Sequence, residues 1–250
     1  MYLINIFPLG NLSMEYQQKM HMYLTHMVEK YPVYVEVAKN APGYKILDNS
    51  LIELGGAVSV DRVIAAAETI GADEIILPDV FQDGEATIEA VKEALDTIHE
   101  KYKYAHVPFK LMAVAQGKDL EDWYNCYQFL KKTPEIDVIG LPKVLAKMHP
   151  KGRPGVVEEL CNVGSKPHHL LGLWYSLSEF VDYRPGTLRL LRSCDTVQLA
   201  YLAKYGLNSA AVRPDGFTVN LEKDTVDYSN IDSNNFKTAL NQVRMMNNDD

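Results

Sequence analysis

Glu74-Ile-Ile-Leu-Pro-Asp79 is a short apolar run closed by a carboxylate, and its form repeats along the chain. Tyr44-Lys-Ile-Leu-Asp48 and Arg192-Ser-Cys-Asp195 end in the same way. Three further runs are Lys110-Leu-Met-Ala-Val-Ala-Gln116-Gly117, Asp137-Val-Ile-Gly140-Leu141 and His169-Leu-Leu-Gly-Leu-Trp174. Apolar runs this short read as buried strands, and longer amphipathic stretches separate them. The expected fold is therefore α/β, a (β/α)8 TIM-like barrel. In that fold a carboxylate at the C-terminal end of a strand points into the active-site mouth.

Outward from these runs, Tyr2 to Phe7 reads as a first strand. Ser13 to Tyr31 reads as a helix with Ser13 as its cap and Glu15 in its first turn, and Val33 to Val37, after Pro32, as a second strand. Ser59 opens a helix that reaches Ile70 and stops at Gly71. Asp83-Gly84 turns into a long helix to about Tyr102, its apolar positions Ile88, Val91, Ala94, Leu95 and Ile98 at helical spacing. Helices over Leu120 to Leu130, Val156 to Leu160 and Val197 to Tyr205 complete the alternation. One domain is expected, a barrel over residues 1–213. Residues 214–250 read as a peripheral, acidic and Asn-rich segment ending in a disordered Asn247-Asn-Asp-Asp250.

At 250 residues and 47% hydrophobic, the chain can bury a full core without metals or disulfides. The three cysteines, Cys126, Cys161 and Cys194, are far apart and lack metal-ligand spacing, so reduced thiols and no metal are expected. The N-terminus has no basic leader, and no apolar run approaches the roughly 18 residues that span a bilayer. A soluble, cytoplasmic protein with no membrane partner is expected.

A net charge of −8 counts against a polyanionic partner, but the charges are unevenly placed. Acids concentrate before Glu100 and after Asp215. From Lys143 to Val157 the chain has Lys143, Lys147, His149, Lys151 and Arg153 and no acid. This stretch, with Arg192 further on, reads either as a solvated face or as a patch that contacts a nucleic-acid backbone.

Two carboxylates flanking a glycosidic bond are the usual apparatus for breaking it. Asp48 and Asp195, at the ends of different strands, suit that work. Asp79 and Gln116, with the backbone amide of Gly140 or Leu141, suit a planar heterocycle with donors on one edge and a carbonyl on another. Guanine has that pattern. Taken singly, an Asp after an apolar run is more often a helix cap or turn residue.

The order Asp48-Asn-Ser, Pro78-Asp79, Ala115-Gln116-Gly117, Gly140-Leu141, Leu170-Leu-Gly172 and Cys194-Asp195 resembles that of the tRNA-guanine transglycosylases. The resemblance covers most of the chain from about Tyr44 to Gly206. It implies Asp195 as the nucleophile and Asp48 as the general acid/base. Asp79 and Gln116 would be the purine-recognition pair, Gly140 an amide donor to the base carbonyl, and Leu171 the apolar side chain stacked on the purine, with Leu141 and Gly172 also at the base. The zinc-binding cluster and basic C-terminal extension of that family have no counterpart here.

His168-His169 and Ser193-Cys-Asp-Thr196 are closer to the shorter, zinc-free DpdA-type 7-deazaguanine DNA transglycosylases of phages and bacteria. That likeness implies exchange of guanine in DNA for 7-cyano-7-deazaguanine (preQ0) or a derivative, without a cofactor, on a flipped-out or single-stranded guanosine. The location would be the host cytoplasm for a phage-encoded chain. A homodimer, or an accessory partner that supplies DNA-binding surface, stays open, as do the roles of His168 and His169.

Alternatives are a tRNA-guanine transglycosylase, or a catalytically silent nucleic-acid-binding subunit of such an enzyme. Other barrel chemistries fit less well. A glycoside hydrolase would use the same acids, and a Schiff-base aldolase needs a buried strand-end lysine where the chain offers only Lys143, after Pro142.

Overall fold

The computed structural model describes residues 1–161, 166–173, 177–206 and 218–231. Trp174, at the end of the sixth run, and residues 214–217 and 232–250 of the acidic segment, Asn247-Asn-Asp-Asp250 included, lie outside them. Among the described residues the fold is α/β of the (β/α)8 TIM-like class. Eight strands form one sheet in the order Tyr2–Asn5, Leu191–Thr196, His168–Leu171, Val138–Pro142, Lys110–Val114, Glu74–Ile76, Tyr44–Asp48 and Met20–Leu24, with helices between them in sequence. Every strand pair of described register runs parallel. By contacts the chain divides into two compact units, Gln18–Pro142 and Met1–Gln17 with Lys143–Asp250.

The contiguous unit, Gln18–Pro142, carries strands β2 (Met20–Leu24), β3 (Tyr44–Asp48), β4 (Glu74–Ile76), β5 (Lys110–Val114) and β6 (Val138–Pro142). Its helices are α1 (Thr25–Lys30), α2 (Pro32–Asn40), α3 (Leu51–Leu54), α4 (Val60–Ile70), α5 (Gly84–Lys101) and α6 (Leu120–Lys132). Ile46, Leu47, Ile75, Ile76, Met112, Ala113 and Ile139 are fully buried along these strands. Burying an aliphatic side chain of the larger kind contributes about 1.5–3 kcal/mol.

Two aspartates start the long helices. The Asp83 side chain accepts from the Ala86 N–H, and that of Asp119 from the Asp122 N–H, both at 2.9 Å. Asp122 in turn accepts the backbone N–H groups of Lys118 and Gly84, which joins the start of α5 to α6. Those bonds, that of Lys118 foremost, hold its carboxyl below the usual carboxylate range.

Two elements near the N-terminus differ from expectation. The helix expected over Ser13 to Tyr31 is a 3-10 helix (Leu9–Gln17), then β2, then α1, so Ser13 caps nothing and Glu15 is buried. All five residues of β2 are buried, in register with β3 from Met20 opposite Tyr44 to Leu24 opposite Asp48. His21 does not break this strand because its Nε2 lies 2.7 Å from the Pro42 carbonyl. Conversely, Val33 to Val37 belongs to a helix. Pro32 sits at its first turn with φ pre-set for the helix, and the buried positions are Tyr34 and Ala38, four apart.

The other unit carries β1 (Tyr2–Asn5), β7 (His168–Leu171) and β8 (Leu191–Thr196), with α7 (Leu145–Met148), α8 (Gly152–Leu160), α9 (Pro185–Leu188) and α10 (Gln198–Tyr205). β1 pairs β8 from Tyr2 opposite Ser193 to Asn5 opposite Thr196. On the other side of β8 the register shifts: His168 faces Leu191, but His169 faces Ser193. Arg192 is thus the extra residue of a bulge, a device that re-aims the side chains around it.

Residues 218–231 pack on α10, where Val226 joins Ala200 and Ala203, with Val219, Tyr228 and Ile231 against them. Asn11 fixes the same segment, donating from Nδ2 to the Val226 carbonyl and accepting the Val226 N–H, each at 2.8 Å. Among the described residues no helix is long and apolar enough to cross a membrane.

Candidate active site

In the contiguous unit the polar residues singled out in the sequence stand at the carboxyl ends of neighbouring strands. Asp48 is the last residue of β3, Asp79 follows β4 and Gln116 follows β5. Asp79 and Gln116 touch: Gln116 Nε2 donates to Asp79 Oδ2 at 2.7 Å. Asn49, which the sequence reading passes over, completes the cluster by donating from Nδ2 to Asp79 Oδ1 and to the Leu77 carbonyl, both at 2.7 Å. Asn49 Oδ1 accepts the Leu51 N–H, and Gln116 Oε1 accepts the Gln82 N–H. Asp79, Asn49 and Gln116 are all buried.

Burial raises the Asp79 pKa from an ordinary 3.8 to about 6, against the lowering effect of its bonds to Gln116 and Asn49. The folded protein therefore holds this proton more tightly than the unfolded chain does. The stability that comes from the protonated form is fully present below about pH 4 and is lost as pH rises through about 6. A shift of this size corresponds to roughly 3 kcal/mol. Urea midpoints measured between pH 4 and 7 should show a downward component in the wild type that is absent from Asp79→Asn.

Asp48 is half-buried, and its Oδ2 accepts the Ser50 N–H at 2.7 Å. Ser50 is held in the left-handed region at φ 61°, with its hydroxyl accepting the His26 N–H and lying 2.9 Å from His26 Nδ1. The turn is over-determined, because Thr25 Oγ1 also donates to the Asp48 carbonyl at 2.6 Å. Gly140 and Leu141 lie buried in β6, and the Gly140 carbonyl accepts the Ala115 N–H.

In the other unit Asp195, near the end of β8, is anchored through one oxygen. Its Oδ1 accepts the Gly172 N–H at 2.9 Å and lies 3.1 Å from His169 Nε2. Its Oδ2 accepts no hydrogen bond among the described residues, and the side chain keeps 13% of its surface exposed. The bulge at Arg192 makes this possible, since it puts His169 opposite Ser193, and Ser193 shares a strand face with Asp195. Leu171 and Gly172 are half-buried, and the Gly172 amide faces Asp195. Cys194 is buried beside them, and burial pushes its thiol well above the usual range, so it stays protonated.

Arg153 does not belong to the expected phosphate-contacting patch. Its guanidinium is fully buried, with Nε and Nη2 donating to the Glu179 carboxylate at 2.8 and 2.9 Å. Nη1 and Nη2 also donate to the Leu171 and Gly172 carbonyls, at 3.2 and 2.7 Å. Tyr183 Oη donates to Glu179 as well, at 3.0 Å. Burial alone would lower the Arg153 pKa, but the Glu179 charge beside it raises it above the ordinary value. Arg153 thus clamps the turn that aims the Gly172 amide at Asp195. Lys143, Lys147 and Lys151 are exposed. Arg192 is half-buried and donates from Nε to Ser193 Oγ at 3.2 Å.

His169 and Ser193 are the site residues whose contacts the sequence reading does not anticipate. Adjacent histidines at the head of an apolar run were the available signal, and His168 and His169 are both fully buried. Among the described residues no group of three or more His, Cys, Asp or Glu side chains is arranged to hold a metal ion. Compared with protein-family models and with curated proteins, the chain matches none.

Proposed function

We propose that the protein is a DNA-guanine transglycosylase that exchanges guanine in DNA for a 7-deazaguanine base, preQ0 or a derivative, through a covalent Asp195–deoxyribose ester. The observation that carries this reading is the half-anchored Asp195. A carboxylate held by one oxygen at a strand's carboxyl end, with no hydrogen bond to the other among the described residues and part of the side chain exposed, is prepared to attack carbon. The buried Asp79–Gln116–Asn49 cluster supports it with the donor and acceptor groups that a purine edge requires.

In this reading Asp195 Oδ2 bonds to C1′ as the C1′–N9 bond breaks. The electron pair leaves on guanine, which takes a proton from Asp48. The incoming base returns a ring N–H proton to Asp48, its nitrogen bonds to C1′, and Asp195 departs as a carboxylate. Two inversions retain the configuration. Since the sugar carbon and the purine must both be reached, the target nucleotide is flipped out or single-stranded. Asp79 and Gln116 recognise the purine edge, together with Gly140 and Leu141 of the same unit.

Radiolabelled guanine incubated with the protein and guanine-containing DNA, RNA or tRNA tests the reading directly. Label in DNA supports it, and label in tRNA alone turns it to the tRNA-modifying alternative. Release of guanine without uptake would make the protein a hydrolase. Polymer binding without either reaction would leave a silent nucleic-acid-binding subunit.

The exposed Lys143, Lys147 and Lys151 are the part of the basic patch that suits a phosphate backbone. Changing all three to Gln should flatten the log–log dependence of DNA affinity on salt by roughly 0.7 to 0.9 per charge removed. Free guanine binding should stay unchanged. An unaltered salt slope would make the patch a solvated face.

A further inference from the structure

The surroundings of Asp195 contain a hydrogen-bond chain whose direction can be worked out. Arg192 Nε can only donate, so Ser193 Oγ accepts from it. Ser193 is fully buried, and the one acceptor for its hydroxyl hydrogen among the described residues is His169 Nδ1, at 2.7 Å. If Nδ1 carried a proton, the Ser193 hydrogen would be left buried without an acceptor. His169 Nε2 would then either set a lone pair against the Asp195 carboxylate at 3.1 Å or carry a second proton. The neutral Nε2–H imidazole is the form that satisfies each of these atoms.

We infer that His169 is a positioning residue for Asp195. Held as the neutral Nε2–H tautomer by Ser193 and Arg192, it anchors Oδ1 together with the Gly172 amide and so makes Oδ2 the attacking atom. The catalytic part of this inference rests on the base-exchange reading; the tautomer does not. Once Oδ2 has formed the ester, Oδ1 is its carbonyl oxygen and still faces two donors. When the incoming base displaces the ester, the electron pair of the breaking C1′–O bond returns to the carboxylate, and the donors stabilise the charge that develops on Oδ1. Arg192, expected to contact phosphate, acts instead at the far end of this chain.

Two measurements test the inference. In the wild-type protein, long-range 1H–15N correlation of the His169 ring should show a neutral imidazole protonated at Nε2. In Ser193→Ala the Nδ1–H form should gain population. For base exchange, His169→Leu should lower turnover roughly 10- to 100-fold, the effect of removing one hydrogen bond to a charged group. The KM for guanine should be unchanged, and His169→Gln, which keeps a donor in reach, should recover most of the rate.

An Nδ1–H or doubly protonated ring in the wild type, or a His169→Leu variant that exchanges bases at the wild-type rate, would overturn the inference. If His169→Leu does not fold, the Gln variant and the ring tautomer decide. If the wild type exchanges no base on any polymer, the transglycosylase reading fails, and the tautomer alone then decides whether the anchoring chain exists.

Discussion

Replacing Arg153 by Ala should lower the stability of the fold by about 3–5 kcal/mol, the usual consequence of removing one member of a buried ion pair. Glu179 would be left with Tyr183 but without its guanidinium partner, and the Leu171 and Gly172 carbonyls would lose their donor. Arg153→Lys should recover only part of the loss, since an ammonium has no planar fork to meet a carboxylate and two carbonyls together. Urea unfolding at neutral pH measures this. The double variant Arg153→Met with Glu179→Leu should be more stable than Arg153→Ala, because it leaves no isolated buried charge. A loss under about 1 kcal/mol for Arg153→Ala would mean that the pair is open to water, as in surface salt bridges.

Asp195→Ala should abolish base exchange and any covalent protein–DNA adduct, a fall of at least about 10⁴-fold, because no other group would take the place of the nucleophile. Asp195→Asn is the sharper variant. Its side-chain oxygen can still accept from His169 and the Gly172 amide, so the anchoring is kept while an amide nitrogen replaces the attacking oxygen. Rapid-quench measurements of adduct and exchange should find both variants inactive, with Asn folding as stably as the wild type. Retention of more than a few per cent of wild-type exchange by both would move the nucleophile elsewhere.

The strands that carry these residues were legible because each apolar run is bounded by a turn or a carboxylate and buried along its length. The exceptions are adjacent in sequence. Met20 to Leu24 contains helix-favouring Met and Leu and a histidine, and it reads as a strand only once His21 is seen to have the Pro42 carbonyl as a partner. Val33 to Val37 has the composition of a strand. Its helix follows from Pro32 at the first turn and from packing that buries Tyr34 and Ala38, which outweigh local propensity.

The same limit applies to the site. That Asp79 and Gln116 meet could be anticipated from strand order. The burial of Arg153 could not, because its partner Glu179 lies 26 residues on in a different element. An acid-free stretch reads as a surface patch until a distant carboxylate is brought beside it. The directional role of Ser193 likewise depends on the bulge at Arg192, which leaves no mark in the pattern of residue types.

The division of the chain into one contiguous and one discontinuous unit has a consequence for the order of assembly. Every strand and helix of Gln18–Pro142 emerges from the ribosome in an unbroken stretch, so that unit can close its contacts while the rest is still being made. β1 is made first but has to wait for β8, and Asn11 meets Val226 only 215 positions further along the chain. Closing loops of that length carries an entropic cost that local pairings within the contiguous unit avoid. The half of the molecule that holds Asp195 is thus expected to be the last to become native, and its earliest-synthesised strand the longest exposed to mispairing.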